Sequence, residues 1–174
     1  MITAASVYVR SNMSPSDLGE DIVPANLPTY ADKKAAAINH IATEILPGAE
    51  SEVLTPLLTA SGGTGLPLSD AAIARRYPEV TDPSKRTAIN TTLSTLYDNA
   101  VLSYARAELY KQISTTAKGY DEDAVDFRKT GDDQLKKLLA MVDDILHGEP
   151  ESSSPESARG NSVSSTSVST SFGF

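Results

Sequence analysis

Cysteine is absent from all 174 positions of this chain, which rules out disulfide staples and thiolate zinc sites and fits an intracellular origin. No segment approaches the roughly 20 apolar residues that a membrane span needs. The first residues lack a basic region followed by an apolar run, so the expectation is a soluble, unprocessed protein. Histidine is scarce: His40 and His147 fall on separate predicted helices, and neither has a second histidine at metal-ligand spacing. Positive charge is also short, 15 Lys and Arg against 23 Asp and Glu for a formal net charge of -8. Tight DNA binding through phosphates needs clustered bases, so this balance argues against it. What is present, 40% hydrophobic and 22% charged residues, suits one ordinary domain with a modest core.

Helical periodicity dominates, and the fold class read from it is mainly α, a small helical bundle with one long central helix. The segment up to Pro28 carries no distinctive signal. Thr29 followed by Tyr30-Ala31-Asp32 resembles a capping box, and Ala37, Ile38, Ile41, Ala42 and Ile45 then share a face until Pro47-Gly48, which predicts a stop. Residues 50–68, rich in Gly, Thr and Pro around Ser61-Gly62-Gly63-Thr64-Gly65, predict an inserted loop or hairpin arm. Ser69 or Asp70 caps a short helix that ends before Pro78.

Asp82-Pro83 starts the strongest element, because proline at the first helical position sacrifices no hydrogen bond. It runs to about Ser114, with Ile89, Leu93, Leu96, Ala100, Tyr104 and Ala107 recurring at spacings of three and four and Tyr97, Val101 and Ile113 widening the stripe. Tyr120 to Phe127 predicts a turn or a short helix. Thr130-Gly131-Asp132-Asp133 then predicts a fresh helix start, with Leu135, Leu138, Leu139, Val142 and Ile145 on one side and an end at His147-Gly148.

Charge is polarised along the chain. Arg75 to Lys118 holds seven bases against four acids, whereas Tyr120 to Gly148 holds eight acids against four bases. Opposite flanks of this kind suit identical subunits packed side by side, and Arg75 and Arg76 are the candidate subunit contact. The other reading is a set of solvated helix faces.

After the predicted helices the composition changes. Residues 150–174 combine Pro150, Pro155 and Gly160 with ten serines, too little apolar surface to offset the entropy of ordering. Alone, such a segment is expected to be floppy. Yet Val168, Thr170, Phe172 and Phe174 fall on one parity and Ser167, Ser169, Ser171 and Gly173 on the other, the pattern of a strand with one sticky face. A tail that orders only on a partner is a binding device. Ser154-Pro155 also offers a site for phosphorylation in a eukaryotic host.

No enzyme emerges, and no cofactor or metal is implied. His40 and Glu44 read as an exposed helix pair, and His147 as a helix C-terminal cap reinforced by Asp143. Gly62-Gly63-Thr64-Gly65 lacks the Lys-Ser/Thr ending of a phosphate loop. Asp121, Glu122, Asp123 and Asp126 do not follow the spacing of a calcium loop.

The order of a long central helix, an inserted arm, a packed final helix (Phe127-Arg128-Lys129-Thr130-Gly131-Asp132-Asp133-Gln134-Leu135-Lys136-Lys137-Leu138-Leu139) and a Ser-rich tail resembles the head-tail connector adaptors of tailed bacteriophages. The resemblance is one of architecture and covers Ser69 to Phe174 best. It implies a helical adaptor domain over 1–149 and an extended docking tail over 150–174. It further implies a dodecameric ring under the portal protein, contact with the next neck or tail protein, and a DNA channel lacking sequence-specific nucleic-acid binding. The portal-docking residues on this reading are Val163, Val168, Thr170, Phe172 and Phe174. Asp121, Glu122, Asp123 and Asp126 are candidate channel-lining acids, since carboxylates repel passing phosphate. The protein would sit at the head-tail interface of the virion, after assembly in the host cytoplasm and with no membrane involved. Two alternatives stay open: a helical regulator with a modifiable serine tail, and another neck component such as a head-closure or tail-terminator protein.

Overall fold

The computed structural model describes residues 1–114 and 120–151. Among them the chain is mainly helical, with no strand. The elements are α1 (Ala4–Ser11), a short 3-10 turn (Pro15–Leu18), α2 (Gly19–Ile22), α3 (Tyr30–His40), a π turn (Ile41–Ile45), α4 (Leu46–Ala60), α5 (Asp70–Arg76), α6 (Pro83–Ser114) and α7 (Tyr120–His147). No helix among the described residues is long and apolar enough to cross a membrane.

Local side chains set most helix starts. At α1, the Thr3 hydroxyl accepts from the Ser6 amide at 3.2 Å and the Ser6 hydroxyl accepts from the Thr3 amide at 3.0 Å, a reciprocal cap in the otherwise undistinguished N-terminal segment. Asn12, at φ 52°, closes the same helix in the left-handed region. Thr29 and Asp32 form the predicted box at α3. Ser69 caps α5 through the Ala72 amide, and the Asp82 carboxylate accepts from Ser84 ahead of α6.

Residues 50–68 are not an arm. The predicted stop at Pro47-Gly48 does not occur, and the chain continues as α4 to Ala60. Pro47 lies in the first turn of α4, where its missing amide is tolerated. Ahead of it the helix widens, and the Leu46 amide reaches back five residues to the Ile41 carbonyl. The Gly-rich run is instead the turn that ends α4: the Gly63 amide, with φ at 89°, donates to the Leu58 carbonyl at 2.7 Å.

α6 and α7 form an antiparallel hairpin, fixed by Tyr104 against Asp132 (2.8 Å) and by the Tyr110 and Phe127 rings, edge to face at 5.0 Å. Thr130 does not restart the chain as expected, because α7 is continuous from Tyr120. Its hydroxyl bonds back to the Asp126 carbonyl one turn earlier, which a helix interior permits. The core runs along this hairpin through Leu93, Val101, Leu109, Ile113, Leu138, Val142 and Ile145, all essentially buried, and α4 adds Val53 and Leu57. An Arg128–Glu52 ion pair at 2.6 Å ties α7 to α4 at the surface.

Candidate functional site at the root of the tail

The two arginines at the end of α5 meet the end of α7. Arg75 Nη2 donates to the Ile145 carbonyl at 3.0 Å and to the Leu146 carbonyl, satisfying acceptors that a helix end leaves free. Arg76 grips Asp144 with two parallel bonds, Nε to Oδ2 and Nη2 to Oδ1, each 3.0 Å. The Tyr77 hydroxyl donates to the same carboxylate at 3.0 Å, and the Arg76 guanidinium lies 4.9 Å from the Tyr77 ring centre. Gly148 makes this closeness possible. A Cβ there would stand 2.4 Å from the Asp144 carbonyl oxygen and 2.8 Å from Arg76 Nε.

The chain is then held at Glu151. Its amide donates to the Arg76 carbonyl at 3.0 Å, and its carboxylate pairs with Arg76 Nη2 at 3.1 Å. One residue of α5 thus grips both the last turn of α7 and the second residue of the Ser-rich segment. Chemically the cluster is a clamp. Its side chains fix a position.

Arg75 and Arg76, the candidate subunit contact, engage the carbonyls and the carboxylate at the end of α7 within their own subunit, and Arg75 stays exposed. His147 takes its expected place, Nδ1 at 2.9 Å from Asp143 Oδ1. His40 departs from the expected exposed pair: it is part-buried, with its Nε2 2.9 Å from Gln112 Oε1 on α6. Asp121, Glu122, Asp123 and Asp126 are exposed on the first turns of α7, where acids complement the positive helix end. They do not converge on the clamp. Val163, Val168, Thr170, Phe172 and Phe174 lie outside the described residues. Among the described residues, no group of three or more His, Asp or Glu side chains is placed to hold a metal. No protein family, curated protein or solved structure matches this chain.

The hydrogen bond from Arg76 holds the Asp144 carboxyl below its ordinary value of 3.8, aided by Tyr77. A lowered folded-state pKa means that the stabilisation is fully present above the ordinary value and is lost as pH falls through the folded one. Asp144→Asn is therefore expected to melt below the parent at neutral pH, with the gap closing under about pH 4. Thermal unfolding followed across pH checks this. A gap that stays constant into acid would show that the clamp does not depend on the carboxylate charge.

Proposed function

We propose that this chain is a structural virion protein: a head-to-tail adaptor of a tailed bacteriophage. Its subunits form a ring, dodecameric by resemblance, beneath the portal protein. They dock to the portal through residues 150–174, meet the next neck or tail protein on the other side, and continue the DNA channel. The observation that carries this reading is the clamp. A docking arm transmits position only if its root is fixed, and Arg76 holds Glu151 against the end of α7. The α6–α7 hairpin supports it as well. With 32 residues, α6 is a rod of about 48 Å, long enough to span the wall of an assembly.

Electron microscopy of the purified protein, alone and mixed with its portal, tests the reading. Rings stacked coaxially on the portal are expected. Particles that stay near the 18.4 kDa of one chain, or twice that, in both samples would favour a regulator.

The exposed acids of α7 give a second check. Replacing Asp121, Glu122 and Asp123 by Lys is expected to create DNA retention in a gel shift, fading with salt at a slope of about -0.9 per phosphate contacted. Retention no better than the parent's would place these residues on the outer surface of the ring.

A further inference from the structure

We infer that the segment Val168 to Phe174 has a seat on its own subunit, the cleft between α4 and α6. The cleft is lined by Leu54 and Leu57 of α4, Ser94, Tyr97 and Asp98 of α6, and Leu66 of the connection between them, with Met1 alongside. Its volume of 330 Å³ lies at the small end of the range for ligand clefts, which suits one or two side chains more than a folded partner. Leu54 is 40% exposed at its mouth, and Leu58 one turn further along is 36% exposed, an apolar edge that water meets unfavourably.

Charge selects the occupant. From Val163 to Phe174 the sequence has no charged side chain. The cleft holds a single acid, Asp98, already paired with the Met1 amine at 2.7 Å, so side chains that carry no charge enter without stripping water from a bare charge. The larger groove between α6 and α7, 650 Å³, is the poorer host, because Glu108, Lys111, Asp121 and Arg128 all line it. Reach is no obstacle. Twenty residues, 152–171, separate Glu151 from Phe172 and span up to about 66 Å when extended, beyond the length of α6. Phe172 and Phe174, with Gly173 between them, supply apolar side chains that would cover the exposed Leu54 and Leu58 edge. The same side chains then cannot engage another protein until they leave it, so the cleft acts as a store for the segment. This seat belongs to the single subunit and does not depend on a portal.

The absence of native cysteine makes the test clean. The full chain carrying Ser94→Cys and Gly173→Cys is oxidised at low protein concentration, beside a control carrying Val9→Cys and Gly173→Cys. Val9 is exposed on α1, outside the cleft. The expected result is an intramolecular disulfide forming about tenfold or more faster in the cleft pair than in the control, the preference given by burying an aromatic ring on a tether. Adding Phe172→Ser and Phe174→Ser is expected to bring the cleft pair down to the control rate. Circular dichroism of the reduced variants verifies the fold, and Leu54→Cys replaces Ser94→Cys if that change disturbs it. Equal rates in cleft and control, or no effect of the Phe replacements, overturn the inference. Disulfide-linked dimers in place of closed monomers overturn it too, by making a second copy the occupant.

Discussion

Removal of residues 152–174 is expected to abolish stable attachment to the portal while leaving the helical domain folded. Among the described residues the core lies along α6, α7 and α4, so helical content should be retained. The cut belongs after Glu151. A cut after Glu149 would also strip Arg76 of its partner at 3.1 Å and confuse docking with local stability. Replacing Phe172 and Phe174 alone by Ser is expected to weaken attachment by about tenfold or more for each ring, from a burial worth roughly 1.5–3 kcal/mol. The loss is multiplied around a ring, where many arms act together. Exchanging Ser152, Ser153 and Ser154 for Gly should change little, since a tether contributes length. The measurement is co-sedimentation with portal-bearing capsids. Equal recovery of the full and shortened chains would refute the docking reading.

Gly131→Ala is expected to destabilise the fold by about 1–3 kcal/mol, although alanine favours a helix over glycine by up to about 1 kcal/mol. Gly131 lies buried in α7, and an added Cβ would come within 2.7 Å of Cδ1 and Cε1 of Tyr104. The ring has no room to retreat. Tyr104 is 4% exposed, its hydroxyl donates to Asp132 at 2.8 Å, and the Arg128 guanidinium stacks 4.5 Å above it. Burial, seconded by the Asp132 bond, pushes the Tyr104 hydroxyl well above its ordinary pKa, so it remains a donor. Gly48→Ala should have the opposite sign, a gain of about 0.4–1 kcal/mol, because a Cβ there meets nothing within 4 Å. Urea unfolding of both variants decides the matter. A Gly131→Ala protein as stable as its parent would mean that the α6–α7 contact gives way freely.

Helix beginnings were legible in the sequence because a cap is a conversation between a side chain and amides two or three residues away. Thr29 with Asp32, Ser69, and Asp82 with Pro83 all act where they were read. Helix endings were less legible. Pro47 blocks an α-helix only if the turn before it keeps its normal width, and here that turn widens. Thr130-Gly131 has the letters of a start, but the glycine answers to Tyr104, 27 positions earlier, a neighbour that only packing reveals. The same holds for the clamp. Arg76 and Asp144 are 68 positions apart, so a local pattern of two adjacent arginines does not show that one of them is bound to the far helix. The tail's composition was plain, whereas the anchoring of its root was not.

The π turn between α3 and α4 settles a question of phase. The buried residues of this rod are Ala37, Ile41, Ile45, Ala49, Val53 and Leu57, each four after the last. On an unbroken α-helix every such step advances about 40° around the axis, and five steps would carry the stripe through roughly 200° and out into water. One extra residue, accommodated in the wide turn at Ile41–Ile45, takes back about 100°. The remaining sweep of roughly 100° is the width of one core-facing stripe. A sequence with a strict repeat of four is thereby reconciled with a helix of 3.6. It follows that the exposed Ala42 marks a place where the chain can lose a residue and restore an ordinary turn, with both flanks still facing the core.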